Sequence, residues 1–276
     1  MELEKGEPDT LQGFVNWKGE AARKDKHGGF RAAMFTFVMM GFQNMAFVSL
    51  ACNLTSYLMM SMCFDISKSA TTVTNFMGTA NLLCLVGAFI SDTYFTRLRT
   101  LIISAVIASM GYIILAIQAY FPSLSPACRL KEKLDGREAT LLFVGLYLIA
   151  IGTGGLLPAG STLGADQFDE NDPTERKQKS SYFNWLLFSI VLGGSVGVTF
   201  LVWIEISRDD YFSGYLISAA GILFGMMCII MGMKTYRYKV LGDSPLLRIA
   251  QGVQHEVILQ NHILQKKQVH YFSGLS

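Results

Sequence analysis

The sequence predicts an all-α integral membrane protein, a bundle of six transmembrane helices with both termini on the cytoplasmic side. Three observations carry this. Of 276 residues, 51% are hydrophobic and only 16% charged, a balance too apolar for an ordinary soluble domain. Six segments each hold about 20 mostly apolar residues, the length that crosses roughly 30 Å of hydrocarbon at 1.5 Å per residue. Lysine and arginine gather in alternate connections between those segments, which sets orientation by the positive-inside rule.

The elements follow in order. Residues 1–29 are polar, with no apolar run of the kind that opens a cleavable signal peptide, and read as a cytoplasmic tail. The spans cover Phe30–Leu50, Thr72–Ile90, Leu101–Tyr120, Thr140–Thr162, Phe183–Ile204 and Tyr211–Met233, so residues 30–233 form the membrane domain. Tyr57–Phe64 is apolar but too short to span, and reads as a helix extension or an interfacial piece. Residues 234–276 form a cytoplasmic tail, or the start of a linker, in which Leu246, Leu247, Ile249, Val253, Val257 and Ile258 give a helix one apolar side. With this orientation the outer connections carry Lys68, Arg129, Lys131, Lys133, Arg137 and Arg208, and the rest of the 23 basic residues lie inside.

Every acidic residue falls outside these spans or at their ends, and none of the span interiors carries Lys, Arg or His. Ionisable groups inside a membrane mark ion and proton paths, so uptake by any transporter built on these spans is expected to be insensitive to external pH between about 5.5 and 7.5. Small residues at helix-packing spacing recur as Gly160 and Gly164, Gly193 and Gly197, and Gly221 and Gly225, which predicts close interhelical contact. The five cysteines show neither CxxC spacing nor a histidine nearby, so no disulfide framework, metal site or cofactor is expected. Gly152-x-Gly154 follows no strand and is no dinucleotide motif. The acidic run after Gly164 lacks the glycine and closing glutamate of a calcium loop. Asn53-Leu54-Thr55 is a glycosylation sequon too close to the bilayer to be modified. The net charge of +2 gives no reason to expect a nucleic-acid partner.

Several motifs occur together in a fixed order: HGGFRAAMF before the first span, GAFISDTYFTRLRT between the second and third, GTGGLLPAGSTLGADQFDE through the fourth, SSYFNWLLFSIVLGG in the fifth and SPLLRIAQ after the sixth. Together they resemble the plant nitrate/peptide transporter family, part of the proton-dependent oligopeptide transporter group of the major facilitator superfamily. The resemblance covers about residues 27–251 and implies the N-terminal half of a twelve-span fold. It implies secondary transport of a small solute (nitrate, a peptide, a hormone or another metabolite), with protons as co-substrate, in the plasma or vacuolar membrane. A lone bundle has no opposite cavity wall. The chain then either transports with a second bundle, or is a half-transporter that binds and regulates a full-length relative.

The resemblance also assigns roles. Asp92, Arg97 and Arg99 match a conformational latch, with Thr96 where the family has glycine. The family's first span carries E-x-x-E-R, and here those positions are Met40, Gln43 and Asn44, followed by Phe47 and Val48. The family's fourth-span lysine falls at Leu157. Neither side of that ionic cluster is present, so proton coupling by the family's usual route is not expected. Pro158, with Gly152, Gly154, Gly155 and Leu157, marks a hinge and cavity wall, because proline frees a backbone carbonyl that must face protein or water. The candidate solute contacts are the polar and aromatic residues within the spans: Gln43, Asn44, Phe47, Asn75, Asn184 and Trp185, followed by Gln118 and Thr79. The neutral span interiors favour a substrate other than a zwitterionic peptide, because they offer no buried charge to bind either end.

Overall fold

The computed structural model describes residues 10–24, 26–121, 136–208 and 210–239. The helix expected after Met233, and Cys128, lie outside these residues. Six long apolar helical runs cross the bundle. Helix α1 spans Gly29–Met60, so the apolar patch at Tyr57 is a continuation of the first helix. It opens at Gly28 and Gly29, whose φ angles of 81° and 73° suit residues without a Cβ. Helix α2 spans Ile66–Thr93, α3 Arg97–Tyr120 and α4 Gly136–Ala165.

The fifth run is composite: α5 at Pro173–Val196, a π-helical turn at Gly197–Leu201 and α6 at Val202–Ser207. Asp172 caps α5 by accepting from the Thr174 amide at 2.8 Å, with Pro173 at the first helical position, the favoured chemistry for a helix start. Helix α7, Tyr211–Gly232, is capped in the same way by Asp210, which accepts from the Ser213 amide at 3.0 Å.

Helix α1 is the hub. It packs on α4, α5 and α7, while α2 lies on α4, α4 on α3, and α3 on α7. The three glycine pairs explain this arrangement, because all of them face α1. A Cβ at Gly160 would meet the Met40 sulfur at 2.6 Å, and one at Gly164 would meet Thr36 Oγ1 at 2.6 Å. A Cβ at Gly193 would fall within 2.9 Å of the Gly41 Cα, and those at Gly221 and Gly225 within 2.8 Å of Phe42 and Met39. Lacking side chains, these residues let backbones meet where lipid supplies no hydrophobic drive between helices. Only 17% of the apolar window is buried in α2 and in the fifth run, against 44% to 56% in the other four. These two helices flank an open face whose floor is α1 and α4.

From residue 10 the chain before α1 contains two strands. Strand β1, Thr10–Val15, pairs antiparallel with β2, Ala21–Arg23, and with β3, Tyr238–Lys239, in a sheet of order β2-β1-β3. Arg237, immediately before β3, is only 2% exposed. Its guanidinium donates to both Glu175 oxygens at 2.7 and 3.3 Å and to the His27 carbonyl at 2.6 Å. Its backbone amide donates to Gln167 Oε1 at 2.9 Å. Gly28 and Gly29 add amide bonds to the Thr235 and Gln167 carbonyls, each 2.7 Å. The chain entering α1, the end of α4, the start of α5 and the exit from α7 are thereby joined.

Two expectations need correction. Cys63 is disulfide-bonded, although cysteine spacing gave no sign of a bridge. Among the described cysteines, Cys52, Cys84 and Cys228 are free. The second correction concerns Glu205, placed just past the fifth span by the sequence. The helical run continues to Ser207 and Glu205 is 1% exposed. The expectation of pH-insensitive uptake therefore loses its premise.

Candidate functional site

The open face is built from side chains that hydropathy leaves unmarked. On α2, Ser67, Thr71, Thr74, Asn75, Gly78 and Asn81 recur at three- and four-residue spacing, and all are exposed. On α5 the exposed row is Ser181, Asn184, Phe188, Val191 and Ser195. Side chains three and four apart share one helix face, so α2 carries a polar stripe, while α5 carries single polar groups, Asn184 and Ser195, in an apolar row. Polar groups at membrane depth turn toward a protein interior or a wet cavity.

On the floor, α1, α4 and α5 meet around Phe37, Leu157 and Tyr182. The Phe37 and Tyr182 rings stack at 5.3 Å, and the Tyr182 hydroxyl donates to the Ser161 carbonyl at 3.0 Å. Ser189 ties α5 to the Phe37 carbonyl at 2.5 Å. On the other flank Phe47 of α1 lies 6.0 Å from the Phe76 ring of α2.

The sequence-predicted residues divide accordingly. Asn75, Asn184 and Trp185 are exposed, with Trp185 edge-on to Phe188 at 5.8 Å. Asn44 and Phe47 are half-buried, and Asn44 bonds weakly back to the Met40 carbonyl at 3.5 Å. Gln43 differs: it is fully buried and its Nε2 donates to Thr153 Oγ1 at 3.1 Å, joining α1 to α4. Gln118 is buried too, donating to the Glu138 carbonyl at 2.9 Å, and Thr79 is half-buried.

Gly152, Gly154 and Gly155 do not line the open face. They are buried where α4 presses on α2 and α3, with Cβ positions that would collide with Ala108, Leu83 and Ser104. Leu157 and Pro158 are half-buried on α4, and the Gly154 carbonyl that Pro158 releases is turned against the backbone of Gly87.

At the end of the bundle that carries the sheet, Arg97 is the centre of the charged cluster. It pairs with Asp166 at close range and with Asp92 at 3.4 Å, and donates to the Thr162 carbonyl at 3.2 Å. The start of α3 is thus tied to the end of α2 and the end of α4. Asp166, not named among the latch residues, supplies the close partner; it lies one residue past the end of α4. Arg99 is exposed and makes no ion pair among the described residues. Nearby, Asp172 accepts from Lys24 at 2.5 Å. That bond, then the Thr174 amide, holds its carboxyl below the usual carboxylate range.

At the opposite end Glu205 accepts a short hydrogen bond from Asn53 Nδ2. Ser49 stands one α1 turn before Asn53. The Ser49 hydroxyl reaches the Glu205 carboxyl, and the Tyr57, Tyr112 and Tyr215 hydroxyls are buried without a hydrogen-bond partner. Gly214 leaves the room the carboxyl occupies, since any Cβ there would collide with it. The sequon asparagine is therefore spent inside the bundle. Sequence reasoning missed this cluster because Glu205 lies one residue past the hydropathy boundary.

A six-helix membrane bundle with a polar open face and a charged knot at one end defines half of a major-facilitator-type fold. The solved structures similar to it agree. The chain superposes on a peptide transporter POT in complex with sulfate with a TM-score of 0.63 at 16% identity, covering 87% of this chain and 47% of that one. A POT family transporter in complex with 5-aminolevulinic acid matches with a TM-score of 0.61 at 17% identity, covering 91% and 50%. The PTR2 family model, described as POT family, matches residues 98–271. The chain belongs to the POT family. It is 42% identical over 255 residues to protein NRT1/PTR FAMILY 4.6 and 38% identical over 256 residues to protein NRT1/PTR FAMILY 4.5, both of Arabidopsis thaliana. Each alignment covers 90% of this chain, and 43% and 45% of those proteins, so the chain spans under half the length of these curated relatives.

Proposed function

We propose that this chain forms one bundle of a secondary transporter for a small solute, with its termini cytoplasmic and its α1, α2, α4 and α5 face lining the solute path against a second bundle. The exposed polar stripe on α2, with Asn184 exposed on α5, is the observation that carries the reading. Lipid is a poor neighbour for Thr71, Asn75, Asn81 and Asn184, whereas a water-filled path is a suitable one. Asn44, Phe47, Asn75, Asn184 and Trp185 are the proposed solute contacts. Gln43 orients the floor through Thr153. Pro158 and Leu157 form its α4 side, and the Arg97 cluster acts as the latch, closed in this conformation. The solute class runs across nitrate, short peptides, hormones and other metabolites. The family's charged coupling positions are neutral here at 40, 43, 44 and 157.

The test is uptake by a coding sequence that supplies a second bundle, against a panel of nitrate, short peptides and hormones. Asn75→Leu and Asn184→Leu are expected to lower uptake of the transported solute at least tenfold with unchanged membrane abundance. Unchanged uptake in both variants would remove these residues from the path. A second reading, a regulatory half-transporter, is favoured by the same open face, which presents an unmatched polar surface to another bundle. Co-purification with a full-length relative, and altered uptake by that relative, would select it.

A further inference from the structure

We propose that Glu205 is a proton-binding site buried in this bundle near the end opposite the termini, and loaded from that end. The carboxyl is buried among three helices besides its own. Helix α1 presents Ser49, Asn53 and Tyr57, and α7 presents Tyr211, Tyr215 and the bare backbone of Gly214. Helix α3 presents Tyr112, within electrostatic reach of Glu205. The π-helical turn Gly197–Leu201 carries no titratable group. Arg208, the nearest cation in sequence, sits 5.6 Å over the Trp203 ring, and no ion pair reaches Glu205 among the described residues.

A carboxylate in that setting has two neutral donors, the Asn53 amide and the Ser49 hydroxyl, and no counter-charge, the situation in which a buried acid takes a proton rather than carry its charge. The hydroxyl of Ser49 separates an exchanging site from a fixed Glu–Asn tie. Ser49 bonds to the carboxyl beside Asn53, and the Tyr112 and Tyr215 hydroxyls nearby have unspent hydrogen-bonding capacity. A hydroxyl both donates and accepts. Ser49 can therefore donate to the carboxylate and, after rotation, accept from the protonated acid, which the Asn53 N–H cannot do. Glu205 stands two residues, or about 3 Å, from the end of its helix. A hydronium ion arriving there gives its proton to the carboxylate and leaves as water. Coupling of that proton to a solute rests on the function proposed above; the proton site does not.

The experiment is infrared difference spectroscopy, acid minus neutral, on the whole chain in lipid nanodiscs. The expected result is a protonated-carboxyl stretch that disappears in Glu205→Gln, a substitution that keeps an acceptor for Asn53. Identical spectra for the two proteins would overturn the proposal. If circular dichroism shows that Glu205→Gln does not fold, Asn53→Ala keeps the acid and removes its donor. The band should then shift in frequency, and an unmoved band overturns the proposal. In a form carrying a second bundle, acid-stimulated uptake should be lost in Glu205→Gln. The carboxyl band without uptake by any form would leave the proton site standing and defeat the transporter reading.

Discussion

Individual residues in this bundle act mostly by what they leave room for or what they neutralise. Gly193 meets the backbone of Gly41, which cannot rotate away as a side chain could. Gly193→Ala is expected to cost about 1–3 kcal/mol, measured as a lower unfolding midpoint in detergent. Arg237 neutralises Glu175 while satisfying the backbone around it. Arg237→Ala leaves an uncompensated acid, and the expected loss is about 3–5 kcal/mol. Arg237→Ala combined with Glu175→Gln should cost less than the two single changes summed, since the pair is one unit. A strictly additive double variant would show that the ion pair contributes nothing.

Elements are held by their ends as much as by their faces. The start of α5 depends on Asp172, which caps the helix and bonds to Lys24. Its folded-state pKa lies below the unfolded value, with the Lys24 bond the largest cause. Its stabilising contribution is therefore complete above about pH 4, the ordinary aspartate value, and is lost as pH falls through the depressed folded value. Hydrogen-exchange protection at the first α5 amides, corrected for the intrinsic pH dependence of exchange, should fall in acid, and Asp172→Asn should remove that pH dependence. Helix α4 shows how an element combines roles. Gly152, Gly154 and Gly155 serve packing against α2 and α3, and Gly160 and Gly164 packing against α1, while Leu157 and Pro158 remain half-buried nearby. Leu157→Lys, with neutral residues at 40, 43 and 44, is expected to cost about 2.5–3.5 kcal/mol of insertion free energy, read as reduced membrane-integrated protein.

At the scale of the molecule, α1 is the axis, α3 and α7 close its back, and α2 and α5 border the open front. A back-facing position such as Met110 belongs to lipid, whereas Asn75 and Asn184 belong to the proposed path. In a form with a second bundle, on a background lacking Cys52, Cys84 and Cys228, cysteine at 75 or 184 should react with a membrane-impermeant thiol reagent and be protected by solute. Cysteine at 110 should stay unlabelled. Labelling of all three alike would dissolve the distinction between front and back.

The sequence by itself determined the class, the six spans, the family motifs and the packing role of the glycine pairs. Each depends on local composition or on spacing along one helix. The Arg97 turn was legible for the same reason, since Asp92 and Arg97 are neighbours in the chain. Only the tertiary structure decided that Gln43 is an α1–α4 tie, that Gly152, Gly154 and Gly155 face away from the open front, and that Arg99 stands apart from the latch. It also decided that Arg237 meets Glu175 across 62 positions, and that Glu205 meets Asn53 across 152. Those pairings arise from which helix packs on which, and a hydropathy profile carries no information about that choice. The same holds for the hydroxyls gathered around Glu205: each is an ordinary residue on its own helix, and a polar pocket exists only once four helices bring them together.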